Sequence, residues 1–171
     1  MKIHCRPTTL ADTADLPAIE RSAGRRFLAV PALAWIADDT IMTVEQHREY
    51  VLAGMSWLAE TDGHTVGFLL AEAQESSLYI AEFSLHLDWQ GKGIGRQLLN
   101  VVRQWADEQG YTAMTLTTFR DVAWNAPLYA RLGFEMLDED SLPAALRQKR
   151  EAETARGIAR GSRCAMRLRL R

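Results

Sequence analysis

The chain has 171 residues, 47% of them hydrophobic and 25% charged, with a formal net charge of −2 at pH 7, close to the averages of soluble globular domains. That length suits one domain, taken here as residues 1–171; its longest apolar run, Phe27 to Ala37, is broken by Pro31 and falls short of the roughly 20 residues of a membrane helix, and "MKIHCRPTT" lacks the apolar core of a leader. A cytoplasmic location with no membrane partner is the default expectation, and two lone cysteines (Cys5, Cys164) with four scattered histidines predict buried thiols and no metal site.

Ile3, Cys5 and Pro7 alternate with polar neighbours, which predicts a short first strand. Thr8 or Thr9 is placed to cap a helix whose apolar face is Leu10, Leu16 and Ile19. After Thr43, "TVEQ" fits a capping box with Gln46 at the third helical position, and Gly54 ends that second helix. Three strand-like runs follow, "SWLAE", "TVGFLLAEAQ" and "LYIAEFSLHL", with the hairpin signal Asp62-Gly63 between the first two. They predict an antiparallel meander that leads into "DWQGKGIGRQLL". Ile94, Leu98, Val101, Val102 and Trp105 then recur at helical spacing, and Gly110 stands where a C-terminal cap belongs. "TAMTLTTF" is the next strand, and "AWNAPLYARLGF" is a short helix running into another. A helix from Leu142 to about Gly157 and a final strand complete the chain. The whole is a mixed α/β (α+β) architecture, one mostly antiparallel sheet flanked by helices.

The final segment is basic, with nine basic and two acidic residues from Arg147 onward. In "RCAMRLRLR", Cys164, Met166, Leu168 and Leu170 alternate with Arg163, Ala165, Arg167 and Arg169, the period of a half-buried strand. A solvated strand face is therefore expected there rather than a nucleic-acid contact; an anionic partner is the alternative. The same strand offers an edge through which two copies pair as a homodimer.

A strand that turns through glycines into a helix is a ready anion site, because the first helical amides lack intrahelical partners and glycine lets backbone close around phosphate oxygens. Lys92 and Arg96 add charge at its rim. Glycine spacing rules out the dinucleotide pattern GxGxxG, and no Walker A loop is present. What remains is Gln90-Gly91-Lys92-Gly93-Ile94-Gly95. It resembles the pyrophosphate motif Q/R-x-x-G-x-G/A of the GNAT N-acetyltransferase superfamily, and "YARLGF" (Tyr129 to Phe134) resembles the family's second signature. The order of elements is similar from the first strand to Arg171. Two positions depart from the family pattern: Leu87 stands where proline is frequent, and Val122 where asparagine is common.

The resemblance implies a GNAT-like fold with an acetyl-coenzyme A core over about 78–134 and acceptor-side helices over about 8–54. It implies that Gln90, Gly91, Lys92, Gly93, Ile94, Gly95 and Arg96 hold the pyrophosphate, that Phe83, Ser84 and Leu85 bind the pantetheine arm through their main chain, and that Asn125 is a cofactor contact or a polar cap. It implies an N-acetyltransferase that works by direct attack of a primary amine in a ternary complex, with acetyl-coenzyme A as co-substrate and no metal.

Amine acetylation needs a neutral amine, a stabilised oxyanion and a proton for the departing thiolate. Tyr129 matches the family's proton donor, and a phenol of pKa about 10 is suited to a thiolate whose acid has pKa about 8.5; an orienting aromatic is the alternative role. Glu82 is the expected general base, through a water, with a structural carboxylate as the alternative; His86 is read as a surface or capping residue. The Leu85 amide is the expected oxyanion donor. On the acceptor side, Phe27 and Trp35 are candidate apolar walls and Asp38 and Asp39 candidate cation holders, or else core and turn residues. The helix Leu142–Gly157 reads as a flap over the acceptor. The expected acceptor is a small-molecule amine; a protein N-terminus or lysine is the alternative, and a non-catalytic acyl-CoA-binding sensor is the alternative from another class.

Overall fold

The structure is a computed structural model that describes residues 2–170; Arg171, the last of the basic run, lies outside the described residues. Strand β1 (His4–Pro7) leads through a 3-10 turn to helix α1 (Leu16–Gly24); two more 3-10 segments precede α2 (Val44–Leu52). Then follow β2 (Ser56–Thr61), β3 (His64–Gln74), β4 (Ser77–Leu85), α3 (Ile94–Glu108), β5 (Ala113–Phe119), α4 (Ala126–Arg131), β6 (Glu135–Met136), α5 (Ala144–Ala155) and β7 (Arg163–Arg169). The strands are hydrogen bonded in the order β1-β2-β3-β4-β5-β7-β6. The β4–β5 ladder is parallel, while β1–β2, β2–β3, β5–β7 and β6–β7 are antiparallel. This is the expected mixed, mostly antiparallel sheet flanked by helices.

One predicted helix is split in two. Asp12 accepts from the Thr9 amide at 2.7 Å and closes a 3-10 turn over Leu10–Asp15. The α-helix proper begins only at Leu16, because Pro17 has no amide hydrogen to donate and is tolerated only in a first turn. Leu10 is consequently 37% exposed and outside the apolar face assigned to it. The Thr43–Gln46 capping box forms as expected, with reciprocal bonds of 2.8 and 3.1 Å.

The chain folds as two compact units: residues up to Ala71 with Ala81–Gln104, and Glu72–Ile80 with Trp105 onward. In the first, Leu16 and Ile19 of α1 pack with Leu58 of β2 and Phe68 and Leu70 of β3, none more than 4% exposed. His47 of α2 is fully buried there, its ring edge-on to Phe68 at 5.0 Å.

In the second unit, β5 pairs along its whole length with β7, from Ala113↔Arg169 to Phe119↔Arg163. Helix α5 buries Leu146 and Arg150. Arg150 donates to Glu139 and Glu153, both at 2.8 Å, and to the carbonyls of Arg160 and Arg163 at 2.7 and 3.0 Å. This packing corrects the expectation of a flap: α5 is a fixed layer, anchored through a buried guanidinium that needs all four acceptors to be there. Cys164 is a buried free thiol as expected, whereas Cys5 is only half-buried. No helix among the described residues is long and apolar enough to cross a membrane.

Candidate functional site

Strand β4 carries Glu82, Phe83, Ser84 and Leu85 in the first unit and passes through a 3-10 turn (Leu87–Trp89) to the glycines. His86 caps that turn by accepting from the Asp88 amide at 3.1 Å, the capping role expected of it. Gly91 and Gly93 have φ of 76° and 80°, the left-handed region that side chains disfavour. A Cβ placed on either would meet no heavy atom within 4 Å, so the protein leaves that side open. Gly95 differs. It lies in the first turn of α3, where a Cβ would sit 3.5 Å from the Phe83 ring and 3.8 Å from Leu85. Two glycines therefore shape an open loop, and the third seats α3 on β4.

The first amide of α3 to find a helical acceptor is that of Gln97, bonded to the Gly93 carbonyl at 3.2 Å. Backbone amides before it open onto the glycine loop at the positive end of a helix of 15 residues. Lys92 and Arg96 flank them. This loop has the chemistry and the room for a pyrophosphate, and a Cβ would fill the space that such a group needs.

The Gln90 side chain is used inside the protein. Its Nε2 donates to the Leu85 carbonyl at 2.8 Å, and its Oε1 accepts from Arg26 at 2.9 Å. Ser22 of α1 likewise accepts from the Leu87 amide at 3.0 Å. Helix α1 and the turn after it are thus tied to the chain that enters the glycine loop. The sequence gives no hint of either link, because both partners lie more than sixty positions apart.

Glu82 accepts from the Ser84 hydroxyl at 3.0 Å and the Phe83 amide at 3.3 Å. A second carboxylate, missed in the sequence, acts on the same region. Glu20 of α1 accepts from the Met42 amide at 3.0 Å. Burial first, and then the negative charge of Glu82, push its pKa up to about 7. The only local signal was a glutamate following Ile19 on the apolar side of α1. Arg21 donates to the carbonyls of Ala37 and Asp39, at 2.9 and 2.8 Å, and so fixes the end of the segment Pro31–Asp38. Trp35 is 47% exposed and Phe27 half-buried, so neither is core. Asp38 is exposed and Asp39 half-buried. Among the described residues no group of three metal-ligating side chains occurs.

Tyr129 and Asn125 belong to the second unit. Tyr129 sits on α4 with its ring edge-on to Phe134 at 5.6 Å. Asn125 occupies the N-cap position of α4 but makes no side-chain cap; its Oδ1 accepts from the Phe119 amide, at the end of β5, at 3.4 Å. Val122, where the family pattern has asparagine, is buried.

The sequence pattern of the acetyltransferase (GNAT) family matches residues 25–134, more than half of the chain. "N-acetyltransferase family 8 member 2" of Rattus norvegicus is 29% identical over 117 residues, 65% of this chain and 49% of that protein. "Probable N-acetyltransferase camello" of Xenopus tropicalis is 30% identical over 95 residues, 54% of this chain and 43% of that protein. The match thus spans about half the length of these curated relatives or less. Among solved structures, the PaiA N-acetyltransferase of Thermoplasma acidophilum in complex with coenzyme A superposes with a TM-score of 0.74 at 17% identity, covering 99% of both chains. The ribosomal-protein-S18-alanine N-acetyltransferase of Escherichia coli gives a TM-score of 0.69 at 14% identity over 99% of this chain and 94% of that one. Identities this low establish the fold.

Proposed function

The chain belongs to the acetyltransferase (GNAT) family, and from that premise we propose that it transfers an acetyl group from acetyl-coenzyme A to the primary amine of a small molecule, by direct attack in a ternary complex. The observation that carries this reading is the open loop through Gly91 and Gly93, whose left-handed backbone leads into the start of α3.

When bound, acetyl-coenzyme A supplies a thioester whose carbonyl carbon the amine attacks and whose sulfur departs as a thiolate. The amides from Gly91 to Arg96 bind the pyrophosphate, with Lys92 and Arg96 adding charge. The main chain of Phe83, Ser84 and Leu85 orients the pantetheine arm, as a strand pairs with an added peptide. The Leu85 amide donates to the carbonyl oxygen as it gains charge, and Gln90 steadies that residue through its carbonyl. Glu82 takes the amine proton through a water, and Tyr129 gives a proton to the sulfur, so an N-acetyl amine and a free thiol result. Asn125 acts by holding the start of α4, which carries Tyr129. Phe27, Trp35, Asp38 and Asp39 are the acceptor-facing candidates, and Glu20 with Glu82 favours a cationic amine as the incoming partner.

Steady-state kinetics with both substrates varied test this. Intersecting double-reciprocal lines, and a fall in kcat of about 10²-fold or more for Tyr129→Phe at a near-constant KM for acetyl-coenzyme A, support the mechanism. Parallel lines contradict direct transfer, and an unchanged kcat in Tyr129→Phe removes its role. Turnover only with polypeptide amines assigns a protein acceptor, and cofactor binding with no turnover on any amine assigns a non-catalytic module.

A further inference from the structure

The second unit carries a cleft of about 330 Å³ between the start of α5 and the sheet, bordered by Ala144, Ala145 and Leu146 of α5, Thr115 of β5, and Arg167 and Arg169 of β7. None of its walls belongs to the glycine loop or to α4. The volume is at the lower end of small-molecule sites, enough for a metabolite rather than a bare ion.

Three features of this cleft select an anion. Helix α5 has 12 residues, begins after Pro143 with no side-chain cap, and has no acidic residue in its first turn. Its first helical amide bond is that of Arg147 to the Pro143 carbonyl at 2.9 Å, so the positive end of the helix opens at Ala144–Leu146. Arg167 and Arg169 share a single carboxylate oxygen, that of Glu135, at 3.1 and 3.2 Å.

The third feature is a buried hydroxyl. Thr115 is 3% exposed, and its Oγ1 is fully buried with no hydrogen-bond partner among the described residues. Thr115 stands opposite Arg167 in the β5–β7 register, two positions before Thr117 on the same face. The Thr117 hydroxyl bonds to Glu153 of α5 at 2.6 Å, so this face, and Thr115 with it, is turned toward α5 and the cleft. An orphaned buried hydroxyl costs free energy that an acceptor oxygen in the cleft would recover. Glu75 also borders the cleft. With Glu135 it balances the two arginines, which limits the ligand to one anionic group.

We propose that this cleft binds a small organic molecule through a single oxyanion group, a carboxylate or a phosphate. The Thr115 hydroxyl, the first-turn amides of α5 and the two arginines are its donors. The site is separate from the acetyl-transfer reading and stands without it.

Amide chemical shifts of the full chain, recorded with coenzyme A in excess so that the glycine loop is occupied, test the proposal with inorganic phosphate, glycerol phosphate and the monocarboxylate lactate. Saturable shifts at Thr115, Ala145 and Leu146 are expected for glycerol phosphate or lactate at or below about 1 mM, and which of the two binds identifies the group. Thr115→Val, which keeps the shape and removes the orphaned hydroxyl, should weaken that binding about tenfold without lowering Tm. Ala144→Asp places a carboxylate where the helix end favours one, so the fold survives while binding is lost. The proposal is overturned if no organic anion shifts these amides, if the shifts are confined to Gly91–Arg96, or if both variants bind as the wild type does.

Discussion

Replacing Gly93 and Gly95 separately by alanine should move the protein in opposite directions. At Gly93 the backbone has a φ of 80°, and a Cβ would meet nothing within 4 Å. The stability cost is therefore conformational alone, about 1 kcal/mol for alanine in the left-handed region. The new methyl stands in the space assigned to the pyrophosphate, so affinity for acetyl-coenzyme A should fall at least about tenfold. At Gly95 a Cβ would lie 3.5 Å from the Phe83 ring, an ordinary contact. Alanine there should stabilise α3 by about 0.5–1 kcal/mol, because glycine is the poorer helix former. For a chain of this size 1 kcal/mol moves Tm by about 2–4 °C. Thermal melts should thus show Gly93→Ala a few degrees below the wild type and Gly95→Ala level with it or above. Calorimetric titration with acetyl-coenzyme A should show loss of affinity in the first and near-wild-type binding in the second. Equal affinity in Gly93→Ala and wild type, or a Tm loss larger in Gly95→Ala, would refute this reading of the loop.

Other outcomes follow from the buried ionisable groups. Arg150→Met leaves the half-buried Glu139 and the carbonyls of Arg160 and Arg163 without their guanidinium; it should cost about 3–5 kcal/mol, a Tm loss on the order of 10 °C in thermal melts, and Arg150→Lys should restore only part. Burial pushes the His47 pKa down to about 4, so its contribution is fully present above the unfolded value of about 6.5 and lost as pH falls from there to about 4. Urea melts at pH 7.5 and 4.5 should show His47→Leu losing less stability on acidification than the wild type, by up to roughly 3 kcal/mol. Glu20 has the reverse sign: its pKa is raised to about 7, so its contribution is present below about 4.5 and lost as pH rises through 7. Glu20→Gln should therefore flatten the decline in stability across that range, and it should shift the acid limb of the pH–rate profile if Glu82 is the base.

Features set by neighbouring residues were legible in the sequence. Thr43 and Gln46 wrote the start of α2, Asp62-Gly63 the β2–β3 turn, and Gly110 the end of α3, because each depends on local backbone geometry. The glycine loop was legible for the same reason. Residues 25–38 were not: Pro31 and an apolar run without period gave no sign of two 3-10 segments. Nor was the place of β7 between β5 and β6, which is a long-range pairing. Helix α5 reads in the sequence as a flap over the acceptor, and only its tertiary setting shows that Arg150 is buried. Glu20 and the Arg26–Gln90 link were missed because partners far apart in sequence define them.

The most direct measurement is free-thiol release from acetyl-coenzyme A over a panel of small amines, with mass spectrometry of the acceptor, for the wild type beside Gly93→Glu. Thiol release matched mole for mole by an N-acetylated amine, and abolished in Gly93→Glu with its fold intact, is the predicted result. Turnover that persists in Gly93→Glu, or a wild type that neither binds nor turns over acetyl-coenzyme A, would contradict the account.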